Sequence, residues 1–388
     1  MRIAGIGCCL LDSVYNGFDI KSEKVQKLLS RKNGDGGLQE GKLVFFEDLL
    51  KFSGLDYDTL NQILTNGRDP VTMNLGGPSV VAMVQTAQML EMMDDVSVTF
   101  QGVIAKDRSG VKILDILSKT PLKYDLKLAD GEHSPGTIVL AGNGERTFVN
   151  RIGAAIKMTP ELIDENFFKS DVVLCGGTAL VPNIHDNLSS ILSKVKANGG
   201  ITVVGTVFDF RNEKKNPDKP WPLVQNGNWE DIDVLVVDAE EAIRISGKES
   251  LEEAAEFFEN RVQSFIITQG SKSIWVWAGN GAVFKFHKLE KLPVSAYIDE
   301  LLAKNPELKH DTTGCGDNFV GGVLTSIAKQ KEKDPKSKLD IVDLCAWGAA
   351  SGGFTLLYDG GTYLEKEKGE KAKKIQPIVE AYFKQINC

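Results

Sequence analysis

Histidine is scarce in this chain, with four residues among 388. That scarcity excludes a histidine-rich metal centre. The six cysteines are scattered, with Cys8 and Cys9 adjacent and Cys388 last, and no pair has the spacing of a zinc site. Their usage fits a reducing cytoplasm. Basic charge is also short: the formal net charge is -8 and the pI about 5.3, so there is no basic field to hold nucleic acid. Long apolar runs are missing. The opening run, Met1 to Gly7, is interrupted by Asp12, which makes it too brief for a membrane span and unlike a signal peptide. No Gly-x-x-x-x-Gly-Lys-Ser/Thr occurs, so phosphate handling of the P-loop kind is excluded. What the chain does have is 42% apolar residues, ample for one large core with a small accessory domain.

The densest punctuation lies near the C-terminal end, at His310-Asp311-Thr312-Thr313-Gly314-Cys315-Gly316-Asp317-Asn318-Phe319-Val320-Gly321-Gly322. Gly314 and Gly316 carry no Cβ, so the backbone there can approach a ligand closely. Phe319 to Ile327 reads as a helix of small and apolar residues. If that helix starts near Gly316 or Asp317, its first N–H groups form a site for a phosphate or an anionic oxygen. A carboxylate at such a mouth repels an anion, so Asp317 is better placed to take a proton from a group becoming a nucleophile. The plainer alternative makes Asp311 and Asp317 ordinary caps in a glycine turn. Gly321 and Gly322 weigh against it. Each costs roughly 1 kcal/mol inside a helix relative to Ala, so something requires the backbone close.

Elsewhere, Arg2 to Cys9 reads as a buried strand with Asp12 just past its end, where ligands of an open α/β sheet sit. Residues 19–69 hold the turn-rich break Asn33-Gly34-Asp35-Gly36-Gly37 and amphipathic stretches from Lys42 to Leu50 and from Tyr57 to Leu64. Met73-Asn74-Leu75-Gly76-Gly77-Pro78 leads into a helix from Ser79 to Leu90, and Asp107 is placed to cap a helix from Gly110 to Leu117. Gly136 to Val149 reads as a hairpin around Gly142-Asn143-Gly144. A lone hairpin buries too little, so it belongs to a small sheet over the site. From Val172 onward strands alternate with helices, the signature of a mostly parallel sheet. Asp238, Glu240 and Glu241 follow one such strand. They suit a helix start, where the dipole favours acids, and equally a hydrated Mg²⁺. Arg146 and Arg151 are either solvated or face an anionic substrate. The tail from Glu365 to Lys374 reads as a solvated charge run.

The segment Asp311 to Gly322, with Cys315 where alanine is usual, resembles the C-terminal signature of the PfkB, or ribokinase-like, family of sugar and nucleoside kinases. The resemblance continues in Gly5-Ile6-Gly7 with Asp12, in Gly76-Gly77, in Gly144-Glu145-Arg146, and in Thr268 with Gly270. It implies an α/β three-layer sandwich with a mostly parallel central sheet, plus a small β-sheet lid. The large domain would comprise residues 1–12, 65–132 and 153–388, and the lid residues 13–64 and 133–152 with an enlarged N-terminal insertion. By the same resemblance Asp317 activates the accepting hydroxyl, and Gly314, Cys315 and Gly316 complete the anion hole. Asp12, Gly76 and Gly77 hold the substrate. The family carries a substrate-binding Asn where this chain has Val81, and Asn74 is expected at the substrate in its stead, supplying that hydroxyl contact. Thr268, Gly270, Asp311, Thr313 and Ala349 line the nucleotide, while Glu241 and Asp238 belong to the Mg²⁺–phosphate network, Asp238 replacing a family Asn. ATP and Mg²⁺ are the implied cofactors, with a monovalent cation such as K⁺ beside them.

The expected function is therefore an ATP-dependent phosphotransferase acting on an alcohol group of a sugar or polyol. An adenosine-like nucleoside acceptor is the second reading, suggested by the long N-terminal insertion. A nonenzymatic sugar- or nucleotide-binding module is the third, with Val81 as its feature and Asp317 against it, since binding alone has little need of a base. An NAD-dependent oxidoreductase is weaker, because Gly5-x-Gly7 lacks the third helix-opening glycine. An exposed lid edge strand admits a homodimer through the lid.

Overall fold

The computed structural model describes every residue except 33, 143, 144, 226, 311 and 388, and the backbone alone of residue 145. The chain opens with β1 (Arg2–Gly7), β2 (Leu10–Asn16), α1 (Glu23–Gln26), β3 (Leu43–Phe45), α2 (Phe46–Ser53), α3 (Tyr57–Thr65) and β4 (Thr72–Gly76). Next come α4 (Pro78–Leu90), β5 (Ser97–Ala105), α5 (Arg108–Leu117), β6 (Lys123–Ala129), β7 (Gly136–Gly142) and β8 (Glu145–Arg151). The alternating half holds β9 (Val172–Gly176), α6 (Pro182–Asp186), α7 (Leu188–Ala197), β10 (Ile201–Gly205), α8 (Phe210–Lys215), β11 (Val234–Asp238), α9 (Ala239–Ser246), α10 (Leu251–Glu259) and β12 (Ser264–Thr268). It closes with β13 (Ile274–Ala278), β14 (His287–Leu292), α11 (Ala296–Lys304), α12 (Cys315–Lys333), α13 (Ile341–Thr355) and α14 (Glu370–Ile386).

Nine strands form the large sheet in the order β14-β13-β12-β11-β10-β9-β1-β5-β6. Pairing is parallel from β12 to β6 and antiparallel from β12 to β14. The parallel strands are apolar on both faces because helices cover both. Ile3, Leu174, Val203 and Ile266 pack with α4, α12 and α13 on one side, while their neighbours Ala4, Val173, Val204 and Ile267 pack with α7, α9 and α10 on the other. A ribokinase-like three-layer sandwich with a smaller second sheet is thus the observed fold.

The second sheet has the order β3-β8-β7-β2-β4. Its outward residues Ile138, Leu140 and Val149 pack against Phe46 and Leu49 of α2 and Leu60 and Leu64 of α3. The N-terminal insertion is therefore a helical cover for the outer face of the lid. Cross-strand register places Asn74, Asp12, Thr137, Asn150 and Phe45 in one row on the opposite face. Period-two alternation keeps that row facing the large sheet while the apolar set faces the helices.

Two expectations are refined and one falls outside the described residues. Lys42 to Leu50 is not one helix: Leu43–Phe45 pairs with Phe148–Asn150 before α2 starts. The turn of the β7–β8 hairpin, at 143–144, lies outside the described residues. In the tail from Glu365 to Lys374, Lys366, Glu367, Lys368, Lys373 and Lys374 are exposed as expected, but Lys371 is 1% exposed.

Candidate active site

The site is built around the N-terminus of α12. Gly314 is its N-cap in the left-handed region (φ 78°, ψ 5°), and no side chain caps the helix. A side chain at Gly314 would be strained there, and a Cβ would lie 2.4 Å from the Cα of Gly361. Cys315 donates its N–H to Thr312 O (3.2 Å) and Asn318 its N–H to Gly314 O (2.9 Å). The N–H groups of Gly316 and Asp317 fall in the first turn, where no intrahelical acceptor exists, and their dipole favours an anion. Among the described residues, and leaving aside the helix's own backbone, nothing lies within 4 Å of where a Cβ on Gly316 would be, so a ligand can reach the backbone directly.

Asp317 sits in this first turn. It keeps partial contact with solvent through the cleft but is set deep among protein atoms. Burial pushes its carboxyl up to about 7, and the charge of Asp12 adds to the shift. Asp12 lies in the middle of β2, opposite Asn74 of β4 and Thr137 of β7. Gly76 is glycine because the Asp12 carboxylate rests on it: a Cβ would stand 2.2 Å from Oδ2. Gly77, the N-cap of α4, packs equally closely on Cys8 O. These glycines let the lid strand and α4 converge on Asp12.

Asn74 is brought to the same place but uses its amide nitrogen on Asp359 O (2.9 Å) and Thr362 O (3.2 Å). It fastens β4 to the segment after α13, and Thr362 answers by donating to Leu75 O (2.9 Å). Val81 is buried behind this junction, with its methyl groups against Gly361.

At the end of β11, Asp238 and Glu241 form a capping box on α9: Asp238 Oδ1 accepts from Glu241 N (2.8 Å) and Glu241 reaches back to Asp238 N (3.4 Å). Glu241 also accepts from Thr206 Oγ1. Burial raises its carboxyl to about 7, with further pushes from Asp238 and Asp317. Asp238, Glu241 and Asp317 thus share one field of like charge, as carboxylates around a cation do. Among the described residues no three His, Cys, Asp or Glu side chains come close enough to hold a metal ion alone. A Mg²⁺ fits only in its usual manner, on one or two carboxylates with waters and phosphate oxygens completing the shell.

Thr268 ends β12 beside Asp238 in register, and Gly270 lies exposed in the turn to β13. Thr313 is exposed next to the turn, whereas Ala349 is buried within α13, 7% exposed. Asp311 lies outside the described residues. Arg151 donates to Ser134 O (2.9 Å) and to the Tyr57 hydroxyl. Sequence reasoning missed Thr206, Thr137, Asn150 and Lys371. Only the alternation of β7 and β8 carried a signal, for Thr137 and Asn150.

The site thus sets a carboxyl beside an open helix N-terminus in an α/β sandwich with a smaller second sheet. Solved structures share the fold over nearly the whole chain. Adenosine kinase from Sinorhizobium meliloti superposes with a TM-score of 0.67 at 16% identity, covering 96% of this chain and 98% of that one. A probable sugar kinase from Rhizobium etli CFN 42 gives 0.67 at 14%, covering 97% and 98%. Ribokinase from Giardia lamblia gives 0.62 at 14%, covering 99% of each. No curated protein sequence matches the chain. The sequence profile of the pfkB family of carbohydrate kinases matches residues 65–368, well over half of it, and the chain belongs to that family. Among the described residues no helix is long and apolar enough to cross a membrane.

Proposed function

We propose that this PfkB-family kinase transfers the γ-phosphoryl group of ATP to a hydroxyl of a sugar or polyol. The observation that carries the reading is Asp317, a carboxyl held near pH 7 beside the open N–H groups of α12. A general base works best with a pKa near the operating pH. The acceptor hydroxyl gives its proton to Asp317 as its oxygen bonds to the γ-phosphorus. The bond from phosphorus to the bridging oxygen breaks, and ADP leaves. The N–H groups of Gly316 and Asp317 face the equatorial oxygens, and the lid excludes water that would compete as acceptor. Mg²⁺, when bound, neutralises phosphate charge, with Glu241 and Asp238 as its protein-side carboxylates.

The lid row supports a polyhydroxylated acceptor. Asp12 can accept from two vicinal hydroxyls, and Thr137 and Asn150 extend the polar row. One feature favours a nucleoside instead. Phe45 at the end of the row meets Phe210 (centroids 5.4 Å), which meets Phe208 (4.5 Å), and such rings suit a base. The structural neighbour from S. meliloti is an adenosine kinase.

The test is ADP formation with ATP and Mg²⁺ against a panel of sugars, polyols and nucleosides, with Asp317→Asn as control. Turnover that depends on a sugar or polyol and vanishes in the control is expected. Turnover with nucleosides alone would move the reading to the second class. Full activity in Asp317→Asn would remove the proposed base.

A further inference from the structure

Lys371 stands in the first turn of α14, 1% exposed. Both facts oppose a cation. The N-terminal end of a helix dipole repels positive charge, and burial of an ammonium is costly unless it is paired. Its neighbour Glu370 does not pair with it, being bound to Lys374 (2.9 Å) and to the Tyr363 hydroxyl (2.8 Å). Glu365 accepts from the backbone N–H of Lys371 (2.7 Å) rather than from its ammonium. The faces of Tyr358 and Tyr363 lie 5.6 and 5.9 Å from Nζ. Burial pulls its pKa down to about 7 against the opposing charge of Glu365. A charged side chain kept in such a place points to a use.

What the ammonium reaches is Asn318, the residue after Asp317. Lys371 Nζ donates to Asn318 Oδ1 (3.0 Å). The two carbonyls on its other side settle which way the amide faces, because a carbonyl oxygen can only accept. Asn318 Nδ2 is thereby turned to Gly314 O (2.9 Å) and Gly361 O (2.8 Å). Gly314 is the left-handed N-cap of the anion-accepting turn, and Gly361 lies in the segment that Asn74 fastens to the lid. Asn318 therefore joins turn, lid segment and α14, and Lys371 holds its remaining oxygen.

We propose that Lys371 is a positioning residue for phosphoryl transfer: through Asn318 it fixes the Gly314 turn, and it sets a positive charge behind the helix end where the phosphate binds. This rests on the kinase reading only for the identity of the anion. A bound phosphate favours the protonated ammonium, which attracts it from behind the amide. Loss of the ammonium therefore falls on nucleotide affinity and turnover, and leaves acceptor affinity alone.

The test uses the full chain as wild type, Lys371→Met, Lys371→Ala and Asn318→Ala. Melting is followed for each, ATP with Mg²⁺ is titrated without acceptor, and turnover is then measured. Lys371→Met is expected to stay folded, to bind ATP about tenfold more weakly and to lose about 10–100-fold in kcat, with acceptor KM unchanged. Butylammonium is expected to restore ATP binding in Lys371→Ala, and n-butanol, of similar shape without the charge, to leave it weak. Wild-type ATP affinity in folded Lys371→Met, or equal restoration by the alcohol, would reduce Lys371 to packing. Should Lys371→Met not fold, Asn318→Ala decides: it retains the charge but cuts the link, and wild-type ATP affinity and kcat there would overturn the proposal. Because ATP binding needs no acceptor, a wild type that binds ATP but phosphorylates nothing sinks the kinase reading and leaves Lys371 to be judged on affinity.

Discussion

Asp12, at the centre of lid strand β2, acts across the cleft on Asp317 in the first turn of α12, adding like charge to burial so that the Asp317 carboxyl stands at about 7. A base must be deprotonated, so kcat/KM is expected to rise with pH and level off above about 7. Asp12→Asn removes the lesser cause of the shift. The acid limb should then move to lower pH while acceptor KM rises, because the same carboxylate is proposed to hold hydroxyls. Initial rates from pH 5 to 9 decide it. A limb unmoved by Asp12→Asn would mean the two carboxyls do not interact.

The same shift has a cost in stability, and its sign is opposite to that of a salt-bridged acid. The folded protein binds the Asp317 proton more tightly than the unfolded chain, in which the group returns to about 3.8. Its contribution is full below that value, is lost as pH climbs through about 7, and stays lost above. Asp317→Asn, neutral throughout, is expected to melt a few degrees above wild type at pH 8, given roughly 1 °C per kcal/mol for a chain of this size. At pH 4 the two should coincide. A lower melting temperature for the variant at pH 8 would mean that the carboxylate is stabilised by contacts that outweigh its burial.

Much of this architecture was legible because it is local. Gly314, Gly316 and Asp317 sit within four residues, so the chemistry of their turn can be argued from spacing alone, and the β9 to β12 strands announce themselves as short apolar runs. What was not legible depends on distant partners. Asn74 was expected at the substrate, yet its amide nitrogen serves carbonyls 285 and 288 residues away. Lys371 lies among charges that in sequence look like any solvated helix start, and only the fold turns it inward onto Asn318. The insertion at 19–69 showed helical periodicity, but which surface its apolar faces cover is decided by the outward row of β7 and β8.

Glycines in and near α12 separate packing from ligand approach. A Cβ on Gly322 would lie 2.3 Å from Trp347 O, at the contact with α13. Gly322→Ala is therefore expected to destabilise by roughly 1–3 kcal/mol despite the better helix propensity of Ala. A Cβ on Gly316 meets no described residue outside the helix's own backbone. Gly316→Ala should melt at or above the wild-type temperature and yet weaken ATP binding about tenfold, because the methyl group stands where a phosphate would approach the first turn. Melting curves and ATP titrations on both variants check the pair. Undiminished ATP affinity in Gly316→Ala would place the phosphate elsewhere.

Specificity should be written on the underside of the lid. Asn150 is 6% exposed, and its side-chain oxygen has no hydrogen-bond partner among the described residues. A buried acceptor left unpaired costs about 1–3 kcal/mol, which a donor on the bound substrate would recover. Thr137 stands beside it in register and Asp12 beyond that, so a chain of hydroxyls laid along the row would meet three polar side chains in turn. Asn150→Ala is expected to raise the KM of the true acceptor about 10-fold or more while the KM for ATP stays constant, since a site built for a donor rejects its loss. The deoxy analogue that lacks the hydroxyl meeting Asn150 should be a poor substrate for wild type and lose little further with Asn150→Ala. Equal losses for acceptor and deoxy analogue would show that Asn150 supports the sheet and does not read the substrate.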